Sequence, residues 1–84
     1  MARLLIVEDE DVLRMTFEQF MQEDGFEVST AENYNEAVEL IEKNEFDVVV
    51  SDIVLGGKTG VDLLRLLHEQ DRNCSVIMIT GDPS

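Results

Sequence analysis

The sequence predicts an α/β fold, a parallel sheet with helices packed on its faces. Three observations carry the prediction. Short apolar runs of strand length alternate with amphipathic stretches of helical period along the whole chain. The runs are spaced so that a crossover helix of roughly 10–15 residues fits between them, which implies parallel pairing through right-handed connections. The runs at 3–7, 46–51 and 75–79 are nearly continuous in apolar residues, as strands covered on both faces are.

Taken in order, residues 3–7 (RLLIV) form the first buried strand. From 10 to 24, Leu13, Phe17, Phe20 and Met21 recur at helical spacing among acids and glutamines. Gly25 then stands where a helix C-terminal glycine belongs. Residues 26–30 alternate as a half-buried strand does. Asn33 with Glu36 three residues on is a capping pair. It opens a second helix through Ala37, Val38, Leu40 and Ile41 that gives out at Lys43 and Asn44. Residues 46–51 are the next buried strand. Gly56, Gly57 and Gly60 mark a loop, and 61–70 is a third helix with Leu63, Leu64 and Leu67 inward. Residues 75–79 are the last strand, ending at Thr80. Met15 and Met78 are expected at the core or its boundary, and His68 at the surface. Repeats, low-complexity tracts and linkers are absent, so the 84 residues read as a single domain.

Nineteen acidic against six basic residues give a net charge of −13, which repels phosphate backbones and anionic membranes. Direct nucleic-acid binding and membrane association are therefore not expected; a cation, or a partner with a basic face, is. Cys74 is the sole cysteine, which excludes an internal disulfide and fits a reducing compartment. Neither a signal peptide nor a run of ~20 apolar residues is evident. The expected location is the cytoplasm.

In a parallel sheet the residues just past each strand's C-terminal end share one rim, where ligands bind at the point of strand-order reversal. Here the first strand runs into Glu8-Asp9, the third into Asp52 and the fourth into Thr80. If the first and third strands are neighbours, these acids lie about 5 Å apart. Two unit charges at that distance cost about 3 kcal/mol at an effective dielectric near 20. Raised pKa values through proton sharing, or a bound cation, must compensate. A hard divalent ion such as Mg²⁺ suits carboxylate oxygens and leaves room for phosphate. Each residue also has a plainer reading. Glu10 and Asp11 complement a helix N-terminus, as Asp9 could, and Asp52 alone could be a turn residue. The joint placement distinguishes the set.

"LLIVEDE", "VVVSDIVLGGKTGVDLL" and "VIMITG", in this order and spacing, resemble the receiver domain of two-component response regulators over the whole chain. The resemblance implies a flavodoxin-like three-layer α/β/α fold with strand order 2-1-3-4-5. It implies that Asp52 is the phosphoacceptor, that Glu8 and Asp9 are the acidic pair, with Asp9 ligating Mg²⁺ directly, and that the Val54 carbonyl is a further ligand. Thr80 matches the hydroxyl residue that turns toward the phosphoryl group, and Gly81 the small residue after it. The donor would be a phosphohistidine on a sensor histidine kinase or phosphotransfer protein. The reaction would be Mg²⁺-dependent self-phosphorylation with slow loss of the acyl phosphate, rather than conventional enzyme turnover.

The chain ends where the family's fourth helix would start, so the order expected here is 2-1-3-4, with the fifth strand and last helices missing. The partner lysine and the aromatic switch residue of the family lie in that absent part. The reading is then of a truncated receiver, whose last strand and first helix (around Leu13 and Phe17) are left uncovered. A homo-oligomer or swapped assembly would use these surfaces. The alternative function is a truncated or inactive receiver acting only as a protein-interaction module. A phosphatase of the haloacid-dehalogenase kind would want Asp-x-Asp, and Val54 occupies the second position.

Overall fold

β1 (Arg3–Val7) is the strand around which the molecule is built, as its unbroken apolar run predicts: Leu4 to Val7 are each at most 2% exposed. The computed structural model describes residues 1–52, 54–55, 58–70 and 74–79. Along the chain follow α1 (Asp11–Glu23), β2 (Glu27–Ala31), α2 (Tyr34–Lys43) and β3 (Val48–Asp52). Then come β4 (Val54–Leu55), β5 (Lys58–Thr59), α3 (Gly60–Glu69) and β6 (Ser75–Ile79). β2, β1, β3 and β6 lie side by side in that order, all parallel. This is the 2-1-3-4 order of the flavodoxin-like fold, β6 being the fourth strand. β4 and β5 add a small antiparallel pair, Val54 opposite Thr59, within the stretch read as loop.

The order fixes the layers. β1 to β2 steps one way along the sheet, whereas β2 to β3 and β3 to β6 step the other way. Right-handed crossovers therefore put α1 on one face and α2 and α3 on the other. Two hydrophobic clusters follow. Leu5, Val7 and Val49 pack with Ala37, Ile41, Leu63 and Leu67 beneath α2 and α3. Leu4, Ile6 and Val50 pack with Phe17 and Met21 beneath α1. Alternate residues of one strand serve opposite clusters, so both strand faces must be apolar.

The ends of the elements refine the sequence reading. β3 begins at Val48 rather than at 46, yet Phe46 remains buried, closing the α2/α3 cluster from below. Asn33 caps α2 as expected: its Oδ1 accepts the Glu36 N–H at 2.9 Å. Gly25 follows the Asp24 C-cap with φ of 95°, and a Cβ there would meet nothing within 4 Å, so backbone conformation alone asks for glycine. Three side chains expected inward, or at least at the core boundary, are not. Leu64 is 43% exposed, and Met15 and Phe20 are each 63% exposed. The inward row of α1 is Leu13, Phe17 and Met21, spaced by four, and Met15 and Phe20 lie off it; on α3 the inward row is Leu63 and Leu67. α1 has no fully buried residue, whereas Met78 is half-buried and His68 is exposed, as expected.

Candidate functional site

β1 and β3 are direct neighbours, with Val7 opposite Ser51, so Glu8 and Asp52 come level at the C-terminal rim. This is where the strand order reverses, because the next strand after β1 is added on one side and β3 on the other. The Glu8 backbone is fixed by its N–H, which donates to the Ala31 carbonyl at 3.1 Å and prolongs the ladder past β1. Asp52 is itself still in the sheet, paired with Ile79 of β6. Strand ladders rather than loops therefore set the separation of the two acids.

Glu8, Asp9 and Asp52 each offer a carboxylate oxygen within 4.8 Å of the other two. Their environments differ: Glu8 is buried, Asp52 half-buried and Asp9 exposed. Glu8 Oε2 accepts the Glu10 N–H at 2.9 Å, and its Oε1 is buried with no donor among the described residues. Burial pushes the Glu8 carboxyl above its usual range, Asp9 and Asp52 add to the shift, and the Glu10 amide opposes it. Three hard oxygen donors at one point, one of them otherwise unsatisfied, fit a divalent cation such as Mg²⁺. A proton shared between Glu8 and Asp9 answers the same repulsion when no cation is bound.

Glu10 is the N-cap of α1 but makes no side-chain cap; the amide at this position is met by Glu8 instead. Two further residues belong to the site and are not prominent in the sequence. Ser51 is fully buried beside Asp52, and its Oγ donates to the Asp52 carbonyl at 2.9 Å. It takes the inward place on β3 after Val49, where a polar residue in an apolar run is the signal that something is held. Arg14 on α1 reaches back to the turn after β1. Its Nη1 donates to the Glu8 carbonyl at 3.0 Å, and its Nη2 to Asp11 at 2.6 Å and Glu32 at 3.3 Å. The spacing of Asp11 and Arg14 on one helix was the available clue.

Of the residues singled out from sequence, Glu8, Asp9 and Asp52 are thus brought together. Val54 opens β4 two residues after Asp52. Thr80 and Gly81 lie outside the described residues.

Over residues 4–84 the sequence matches the family described as the response regulator receiver domain. The chain is a member of this receiver family. Among similar curated proteins is a cyclic di-GMP phosphodiesterase of Thermotoga maritima, 36% identical over 78 residues. The alignment covers 93% of this receiver but only 21% of that relative, so the chain spans about a fifth of the relative's length. Among solved structures, the response regulator TrrA of Thermotoga maritima in complex with Mg²⁺-BeF superposes with a TM-score of 0.90 at 30% identity. It covers 99% of this receiver and 72% of TrrA. The chemotaxis response regulator CheY4 of Vibrio cholerae gives a TM-score of 0.91, also at 30% identity, over 100% of this chain and 72% of that one.

Proposed function

We propose that this receiver accepts a phosphoryl group on Asp52 from the phosphohistidine of a sensor histidine kinase or phosphotransfer protein. The observation that carries the reading is the meeting of Glu8, Asp9 and Asp52 within 4.8 Å at the sheet rim. That TrrA, a similar receiver, is a complex with Mg²⁺-BeF supports it.

Glu8, Asp9, Asp52 and the Val54 carbonyl would hold Mg²⁺, which neutralises phosphoryl oxygens when bound. Asp52 attacks phosphorus in line with the donor's P–N bond; the O–P bond forms as P–N breaks, and the electron pair returns to the imidazole. Ladder pairing with Ile79 holds the Asp52 backbone still, so little ordering remains to be done at the moment of attack. By its resemblance to the family's hydroxyl residue, Thr80 would donate to a phosphoryl oxygen. The product is an acyl phosphate, labile in water, which makes the mark temporary. Among the described residues no helix is long and apolar enough to cross a membrane.

The test is incubation with Mg²⁺ and a small-molecule phosphodonor, followed by intact-mass and peptide mapping. One phosphoryl group on the wild-type chain, lost in Asp52→Ala and strongly reduced in Asp9→Ala, is expected. Modification that persists in Asp52→Ala would remove Asp52 from the reaction. Failure of the wild type to be modified, with no Mg²⁺-dependent rise in melting temperature, would leave a docking module.

A further inference from the structure

We propose that Arg14 is the positioning residue of the acid cluster, a forked clamp that holds the turn carrying Glu8 and Asp9 in the geometry a divalent cation requires. The inference rests on the metal-binding reading of that cluster and extends it to a side chain that bears none of the ligating oxygens.

Three elements meet at this guanidinium. Nη1 holds the Glu8 carbonyl at the end of β1, while Nη2 holds Asp11 in the first turn of α1 and Glu32 in the β2–α2 connection. Its side chain is only 12% exposed, whereas Asp11 and Glu32 are 75% and 59% exposed. An arginine drawn under cover by two solvent-facing acids is held in one orientation, and its planar fork serves divergent acceptors as an ammonium cannot. Among the described residues, the backbone between Glu8 and Glu10 is otherwise tied by the Glu8 N–H to Ala31, by the Glu10 N–H to the Glu8 carboxylate itself, and by the Glu10 carbonyl, which accepts the Arg14 backbone N–H at 2.9 Å. Without the clamp, the Glu8 carbonyl loses its donor, and the turn beyond the Glu8 ladder bond is free to carry Asp9 and the Glu8 side chain away from Asp52.

Charge alone predicts the opposite sign. Arg14 is a cation close to an acidic cluster, so simple Coulomb repulsion would make its removal tighten Mg²⁺ binding. Positioning predicts weaker binding, because residues that orient metal ligands typically contribute about 10–100-fold in affinity. The experiment is calorimetric titration of Mg²⁺ into wild type, Arg14→Gln and Arg14→Lys, each checked for cooperative unfolding. In parallel, amide hydrogen exchange is compared at Glu10 and at Asp47, whose N–H donates to Arg3 at the opposite rim.

Both variants should bind Mg²⁺ about 10-fold more weakly and exchange the Glu10 amide faster, with the Asp47 amide unchanged. Equal or tighter Mg²⁺ binding in Arg14→Gln, full recovery in Arg14→Lys, or parallel acceleration at both amides would overturn the clamp. If the wild type binds no Mg²⁺, the metal reading fails and the exchange arm decides alone: an unaltered Glu10 amide in the variants rejects the role of Arg14, and selective acceleration upholds it.

Discussion

Glu8 is 1% exposed, shares its corner with two other carboxylates and leaves one oxygen without a donor among the described residues. In the cation-free protein this is a cost, and its dependence on pH has a definite sign. Burial raises the folded carboxyl above its ordinary 4.5, so the folded chain holds the proton more tightly than the unfolded one. The stabilising contribution is complete below pH 4.5 and is lost as pH rises through the folded value. Glu8→Gln should therefore stabilise the cation-free protein at pH 7 by about 1 kcal/mol, the low end for relief of a buried charge, since the rim is close to water. The gain should shrink toward pH 4.5, and urea denaturation at both pH values measures it. Saturating Mg²⁺ should reverse the order, because the glutamine is a poorer ligand. The acids themselves were legible in the sequence, as was their shared rim. Arg14 and Ser51 were less so, because the Asp11–Arg14 spacing signals only an ion pair along the helix, not a reach back to Glu8, and a hydroxyl inside an apolar strand does not say what it holds.

Among the elements, α2 is the one whose start the sequence states outright. Asn33 Oδ1 accepts the Glu36 N–H at 2.9 Å, and Glu36 returns the contact through Asn33 Nδ2 at 3.2 Å and the Glu32 N–H at 3.4 Å. Asn33→Ala should cost about 1 kcal/mol by loss of the cap, read as a lower denaturation midpoint with unchanged cooperativity. Strands β1 and β6 match the apolar runs residue for residue. β3 does not, because Phe46 is apolar for a reason other than ladder pairing: it plugs the end of a cluster from a connection. In α1 and α3, a leucine, a methionine and a phenylalanine face water because one helix face contacts one sheet, and only the rows at i and i+4 reach it. Hydrophobicity announces a helix more dependably than it announces which side is inward. The β4–β5 pair escaped notice since two-residue strands have no periodicity to detect.

At the scale of the whole molecule, coverage of the sheet is uneven. Among the described residues two helices lie on one face and α1 alone on the other, and a helix about 10 Å wide covers roughly two strands spaced near 4.8 Å. Ile77 of β6, on the sparsely covered face, is 51% exposed, and among the described residues β6 pairs only with β3. The isolated 84-residue chain is expected to self-associate along this edge, opposed by its charge of −13. Light scattering should show a mass that rises with salt, as screening weakens the repulsion, and Ile77→Lys should return it to the monomer. A wild-type mass that stays monomeric at all salt concentrations would count against the edge. The adjacency of β1 and β3 has one more consequence, in time rather than in space. Glu8 and Asp52 lie far apart in sequence, with two helices and a strand between them, so the cluster is expected to form late in folding. A cation that needs all three acids has nothing to grip in the early chain. It should leave the folding rate nearly unchanged and slow unfolding, acting as a latch on a finished molecule rather than as a seed for an unfinished one.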